Sequence, residues 1–483
     1  MTAADRTLSW NRAMLASPGD LDLQVPNAEI EGVIPPELYA GRLLSNGPGW
    51  TQIGGRTVHP FDGHGYLRAF SFSEKGVALK ARFVRTASYE IEAAAGSVKV
   101  RGLATDLPGG MLPNLRAKGG RRNVANTTVL QWQERLLVGW EGGSPHALDP
   151  QSLETLGPET FKGLVDGEAS LAHMRLDPSS GHLVLVGMSQ SRKTTVRFRE
   201  LDSEDHVVFS RQDELPEMIF AHDFAMTPLH YILGGNPMRL NLGKLAKSFA
   251  GLGPFFDAIN IDHSKPGVLY LSPRDPKAAL RVVSLPGPAT VIHFGNAHCT
   301  ETATIVDACL FGRFDFGGEF GYRGPDQELD PSLPDARPPQ RLFRITIPHD
   351  SDQATWRQLG PYAVDFPRFN PAHEGQRTPW LFGAARRDTQ HGDPFDSVLS
   401  VDLRSQETVT QIWTAPEQVF VGEPVFVPGA SPETGHLLVM LSDAMNEQSR
   451  LAIFDAARVE AGPIAQVPLP LLPVAFHGDW ASS

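Results

Sequence analysis

Cysteine is nearly absent from this 483-residue chain, with Cys299 and Cys309 its whole complement. Two cysteines ten positions apart form neither a zinc motif nor a disulfide framework, so a reducing compartment is the simpler expectation. No apolar run approaches the ~20 residues a membrane-spanning helix needs. Residues 1–20 mix charge and polarity without a continuous apolar core, which argues against a secretory leader. No basic tract offsets the formal charge of -12, which argues against a nucleic-acid partner. The chain also lacks a Gly-x-Ser-x-Gly elbow, a Walker A loop, a His-Glu-x-x-His helix and a dinucleotide-binding glycine fingerprint. Its length would allow about three domains, yet no linker, charge block or low-complexity tract divides it.

Glycine and proline are plentiful, 46 and 40, and spread throughout, which implies many tight turns. Between them lie short β-rich runs, among them 67–72, 128–140 with a turn near Glu134, 182–188, 302–311, 341–347, 397–403 and 450–454. Many short strands in succession suggest a barrel, sandwich or propeller. A chain this long without linkers favours the propeller, although no WD or kelch repeat marks it. Helical signals are few. Pro36-Glu37-Leu38-Tyr39 reads as one turn, 20–28 is too mixed to assign, and 240–252 is the clearest helix. There Leu242, Leu245, Phe249 and Leu252 form an apolar stripe beside Lys244 and Lys247. Packing over the strands is the plainer reading of that stripe; dipping into a bilayer surface is the functional one.

The chain has 16 histidines. His59, His64, His182, His206, His263, His349, His373, His391 and His436 sit in polar or turn contexts and read as surface residues, while His146, His230 and His298 are ambiguous. Four others lie in more apolar company. His222 sits in Phe220-Ala221-His222-Asp223-Phe224, just before a short strand at 230–233. The rest are Ser170-Leu171-Ala172-His173, His293-Phe294-Gly295-Asn296-Ala297 and Phe476-His477-Gly478-Asp479-Trp480. An imidazole in such a setting is either a satisfied core histidine or a metal ligand, and these residues alone leave both open.

Several motifs occur in a telling order: Asn46-Gly47-Pro48-Gly49, Phe61-Asp62-Gly63-His64-Gly65, Phe83-Val84-Arg85-Thr86, Asn123-Val124-Ala125-Asn126-Thr127, Trp140-Glu141-Gly142-Gly143, Gly422-Glu423-Pro424-Val425-Phe426-Val427-Pro428 and the terminal Phe-His-Gly-x-Trp. In this series the chain resembles the carotenoid cleavage oxygenases, most closely the apocarotenoid oxygenases, from about Glu31 to Trp480. The resemblance implies one all-β domain over 1–483, a seven-bladed β-propeller capped on one face by loops and short helices, with 1–30 as an N-terminal extension. It implies a ferrous ion, Fe(2+), on the propeller axis, held by His173, His222, His293 and His477. The separations of 49, 71 and 184 residues suit ligands from different blades and no local zinc motif. Glu141, Glu423 and Asp365 match the acids that the family sets behind three of the histidines, though the family usually has Glu where Asp365 stands. Either the backbone comes closer there or a water bridges the missing methylene. His298 and Cys299 depart from the family pattern after Asn296-Ala297 and read as a packing variation.

The resemblance also implies the reaction, oxidative cleavage of a carbon–carbon double bond of an apocarotenoid or carotenoid by O2. Thr127 matches a threonine beside an open position on the metal. Trp140 stands where stilbene-cleaving relatives carry a phenol-binding lysine, so a polyene is expected rather than a hydroxystilbene. A stilbene-cleaving enzyme, an isomerase on the same scaffold and a non-catalytic binding propeller are the alternatives. No protein partner is implied. A cytoplasmic chain is expected, with peripheral membrane contact through Leu242, Leu245, Phe249 and Leu252.

Overall fold

Alternating burial along short strands builds most of the molecule. Strand Gly76–Phe83 buries Val77, Leu79, Ala81 and Phe83 and leaves the residues between them partly open, the period of a half-buried strand. The computed structural model describes residues 3–482 apart from 118–121, 166–167, 315, 317–320, 324–327, 335–336, 392–393, 406 and 432–433. Among these residues, seven sheets of four to six strands follow one another along the chain, with two small two-stranded ribbons. The all-β expectation holds. The run expected at 128–140 is a hairpin, Thr128–Trp132 and Arg135–Gly139, turning at Glu134.

Each sheet packs on the next. Leu67 meets Val129 and Val138 between the first and second sheets, and Phe382 meets Val439 and Phe454 between the last two. The first sheet also packs on the last, through Phe70, Leu79, Val427 and Leu451. Burying each such side chain stabilises the fold by roughly 1.5–3 kcal/mol, so the contacts between sheets hold the array together. The chain ends are sewn into the same two sheets. Strand His477–Ser482 pairs with Gly41–Asn46, and Glu31–Gly32 pairs with Ala465–Pro470. The unassigned stretch 20–28 contains strand Leu21–Pro26, which pairs with Gly76–Phe83, so part of the expected extension belongs to the first sheet.

The clearest expected helix is shorter than its apolar pattern. It runs Leu242–Phe249, starting where the Asn241 side chain accepts the Lys244 N–H and satisfies one free backbone donor. Leu242, Phe249 and Leu252 are 75%, 74% and 57% exposed, so only the half-buried Leu245 follows the packing expectation. Three helices were not anticipated: Ala3–Met14, Ala87–Ala95 and Met111–Arg116.

His59 and His64 correct the sequence reading, because both are buried rather than on the surface. Nε2 of the fully buried His64 lies 2.8 Å from the Glu92 carboxylate, and Arg122 donates to the same carboxylate at 2.8 Å. Beside them Gly65 allows a close approach, since a Cβ there would lie 2.2 Å from the Ala125 carbonyl oxygen. Burial pushes His64 down to about 4 and His59 to about 3. In the unfolded chain both titrate near 6.5. The unfolded chain therefore binds more protons between pH 6.5 and 4, and stability falls as pH drops through that window. For His64 alone the loss is roughly 3 kcal/mol. A His64→Gln protein is expected to show a shallower fall of Tm over that range; an unchanged slope would remove His64 as its cause.

Candidate metal centre

Seven residues meet where the sheets converge, one from each sheet or its immediate flank. They are His477, Glu141, His173, His222, His293, Asp365 and Glu423, in the order of the sheets. At five of these points the strand is locally broken or shifted in register. His173 lies between Ala169–Ser170 and Arg175–Asp177, and His222 between Ile219–Phe220 and Phe224–Met226. Three more are register shifts: Val291/Phe294 around His293, Asp365/Arg368 at Asp365, and Val421/Pro424 around Glu423. A bulge re-aims a side chain that the regular pleat would send into a sheet face.

The four histidines converge as expected. Their ligand nitrogens all lie within 4.8 Å of one another, and Nε2 of His173 is 3.2 Å from Nε2 of His222. Neighbouring ring centres are 4.5–5.0 Å apart around the group, from His173 to His222, His293, His477 and back. A metal bound at about 2.1 Å by several nitrogens leaves those donors ~3–4 Å apart, so the group has the size of a single-ion site.

Three of the rings are fixed from behind. Nδ1 of His293 is 2.7 Å from Asp365, Nδ1 of His477 is 3.0 Å from Glu423, and Nδ1 of His222 contacts Glu141. A ring held at Nδ1 by an acceptor presents Nε2 as the free lone pair. The Asp365 bond is direct, so the shorter acid is met by movement of the backbone and not by a bridging water. Phe366, next in the chain, has φ +53 inside the register shift that carries Asp365 inward. His173 has no such partner; its Nδ1 lies 3.6 Å from Asp223. Burial and the three neighbouring imidazoles hold His173 well below its ordinary pKa, which keeps it neutral. Against the cost of burial, Asp365 raises His293, while His222 and Arg368 draw Glu141 and Glu423 below the usual carboxylate range.

Residues 17–482 match the family profile described as retinal pigment epithelial membrane protein. The apocarotenoid-15,15'-oxygenase of Synechocystis is 33% identical, over 98% of this chain and 96% of that protein. Carotenoid cleavage dioxygenase 7 of rice is 30% identical, over 94% of this chain and 88% of that one. A solved structure of cobalt-substituted Synechocystis apocarotenoid oxygenase superposes with a TM-score of 0.90 at 30% identity, covering 99% of both chains. The chain belongs to this carotenoid oxygenase family.

In this member of the family, three of the four histidines line an apolar cavity. Phe61, Phe220, Phe256, Phe311, Phe314 and Phe316 line it together with Thr127, Trp140, Glu141, His222, His293 and His477. Trp140 thus faces the cavity as the substrate reading needs. Thr127 stands beside it, its hydroxyl 3.1 Å from Asn126 and 3.4 Å from Glu141. His298 lies outside the histidine group, near Asp307 and Arg344, and Cys299 faces Thr304 at 3.8 Å. Both fit the packing variation expected of them.

The sequence reading overlooked a buried ionic group beneath the histidines. Arg175 donates to both oxygens of Asp223 at 3.0 Å and to Glu374 at 2.8 Å, while Asp223 accepts the Phe294 N–H at 2.9 Å. These bonds tie together the residues next to His173, His222 and His293. Nearness in sequence to the ligands was the available signal for Arg175 and Asp223; nothing local marks Glu374.

Proposed function

We propose that this chain is a non-haem iron(II) dioxygenase that cleaves one carbon–carbon double bond of an apocarotenoid or carotenoid into two carbonyl products. The observation that carries this reading is the convergence of four histidines, three of which line an aromatic cavity. Four neutral imidazoles suit a ferrous ion and leave it its full positive charge. Bound there, iron supplies the electron exchange that lets triplet dioxygen react with a singlet polyene. The cobalt-substituted form of the Synechocystis relative supports a metal in this family. The seven sheets, each packed on the next and the first on the last, support a seven-bladed propeller formed as a single domain. Its cap comprises the loops and short helices around the cavity.

The chain's own residues do the rest. The phenylalanines hold a polyene by apolar contact and exclude water, which fixes the double bond near the histidines. Glu141, Asp365 and Glu423 hold three rings in one tautomer and aim. Thr127 narrows the space beside the histidines. In the overall reaction both atoms of O2 enter the products, one on each carbon of the broken double bond.

Trp140 favours a polyene over a phenol. Tryptophan offers one N–H donor and a large apolar face, and a phenol buried here would lack a charged partner, at a cost of roughly 1–3 kcal/mol. Steady-state assays with 8′-apocarotenol and with resveratrol, under equal iron and oxygen, test the assignment. Aldehyde formation from the apocarotenoid, with little or no turnover of resveratrol, is expected. Comparable or faster turnover of resveratrol would reject the apocarotenoid assignment.

A bilayer-dissolved substrate is best taken up from the membrane surface. The exposed Leu242, Phe249 and Leu252 lie beside a second exposed apolar group, Met111, Leu112 and Leu115. Gly251 brings the two helices together, with a Cβ position 2.8 Å from the Met111 carbonyl oxygen. Phe256, a little further along the chain, lines the cavity. Among the described residues no helix is long and apolar enough to cross a membrane, so the contact proposed is peripheral. Replacing Leu242 and Phe249 by Asp should reduce liposome association without loss of bound metal; association equal to wild type would return these residues to an ordinary surface role.

A further inference from the structure

The metal centre has a second cavity against it. It measures about 420 Å³ and shares only His293, Phe366 and His477 with the aromatic one. It reaches solvent where Pro178, Gly181 and Ala372 are exposed. Its walls are mixed: among aromatic and aliphatic side chains, five carboxylates, Asp177, Asp223, Glu374, Glu423 and Asp479, stand against two guanidiniums, Arg175 and Arg368. Four of these acids already serve protein groups. Asp177 and Asp223 pair with Arg274 and Arg175, Glu423 holds His477, and Asp479 lies 3.9 Å from Arg368. Glu374 differs. One of its oxygens accepts from Arg175, while Oε1 is buried without a partner in a residue only 9% exposed. A buried acceptor left open is costly unless something meets it.

The two cavities treat a cation differently. A hydrated divalent ion would have to shed its water to pass the phenylalanines of the apolar cavity, at a cost of many kcal/mol. In the acid-lined cavity carboxylate oxygens can take the place of lost water, and the excess of carboxylates raises the ion's local concentration. We propose that the acid-lined cavity is the route by which a hydrated divalent cation reaches the four histidines, with Oε1 of Glu374 as a transient ligand on the way. The inference rests on the metal reading of those histidines.

Loading of chelator-stripped protein with cobalt(II), followed by stopped-flow absorbance under anaerobic conditions, tests it. Glu374→Gln keeps the shape and an acceptor for Arg175 but removes the charge. It is expected to slow loading at least about five-fold while the final metal content per chain stays at the wild-type level. An 8′-apocarotenal added first, to fill the apolar cavity, is expected to leave the wild-type rate unchanged. Loading slowed by the apocarotenal, or a Glu374→Gln rate within about two-fold of wild type, would overturn the route. The apocarotenal arm uses wild-type protein, so it decides the matter even if the variant misfolds. Wild-type protein that takes up no cobalt would instead sink the metal reading itself, an outcome distinct from metal that binds by another path.

Discussion

A His222→Ala protein is expected to fold but to hold little metal and form almost no aldehyde. Structural four-ligand metal sites bind with apparent energies of roughly 10–16 kcal/mol. One ligand's share is about 3 kcal/mol, or at least ~100-fold in affinity. The loss should be larger than that share, because the variant also strands Glu141, whose half-buried carboxylate is held below the usual range by His222. A Glu141→Gln protein removes only the acceptor behind the ring and should lose roughly 10–100-fold in affinity. Metal analysis of the two variants, loaded at a concentration that just saturates wild type, separates them. His222→Ala should fall below about a tenth of wild-type occupancy, with Glu141→Gln between. Excess metal should rescue Glu141→Gln far more than His222→Ala. Full occupancy in His222→Ala would remove that histidine from the ligand set.

The order of these sensitivities follows from features that local sequence patterns carry only in part. Strands were legible because alternation and turn residues are local, as at Thr128–Trp132 and Arg135–Gly139. The histidines were legible only through the ordered motifs around them, because residues 49 to 184 positions apart are brought together by packing between sheets. The bulges at His293, Asp365 and Glu423 depend on how two strands pair, so nothing in either strand alone announces them. The sequence alone therefore leaves direct contact between Asp365 and His293 open beside a bridging water. Helix Ala87–Ala95 did carry local signals, the Thr86 cap and Gly96 at φ +61, but its alanine-rich sequence has no strong apolar stripe. His59 and His64 are buried although their glycine, proline and aspartate neighbours suggest a surface turn. Here that turn is folded inward, with Asp62 accepting the Leu103 and Ala104 N–H groups at 2.9 Å.

Removing Arg175 should cost the fold more than removing any one of the exposed apolar side chains. The guanidinium is buried, and Asp223 and Glu374 raise its pKa above the ordinary arginine value against the cost of that burial. In an Arg175→Ala protein, Asp223 keeps the backbone N–H groups of Phe224 and Phe294, but Glu374 loses its hydrogen-bonded cation. Breaking a buried pair by deleting one partner typically costs 3–5 kcal/mol, because the remaining charge is left uncompensated. With an unfolding entropy of ~2.1 cal/mol/K per residue, a chain of this length loses roughly 3–5 °C in Tm. The loss should also loosen the metal site, since the same network links the residues beside His173, His222 and His293. Arg175→Lys preserves the charge but not the two-pronged geometry, and should recover only part of the stability. Differential scanning calorimetry with metal analysis on both variants checks this. A Tm within 1 °C of wild type for Arg175→Ala, with full metal content, would mean that the network neither supports the fold nor positions the histidines.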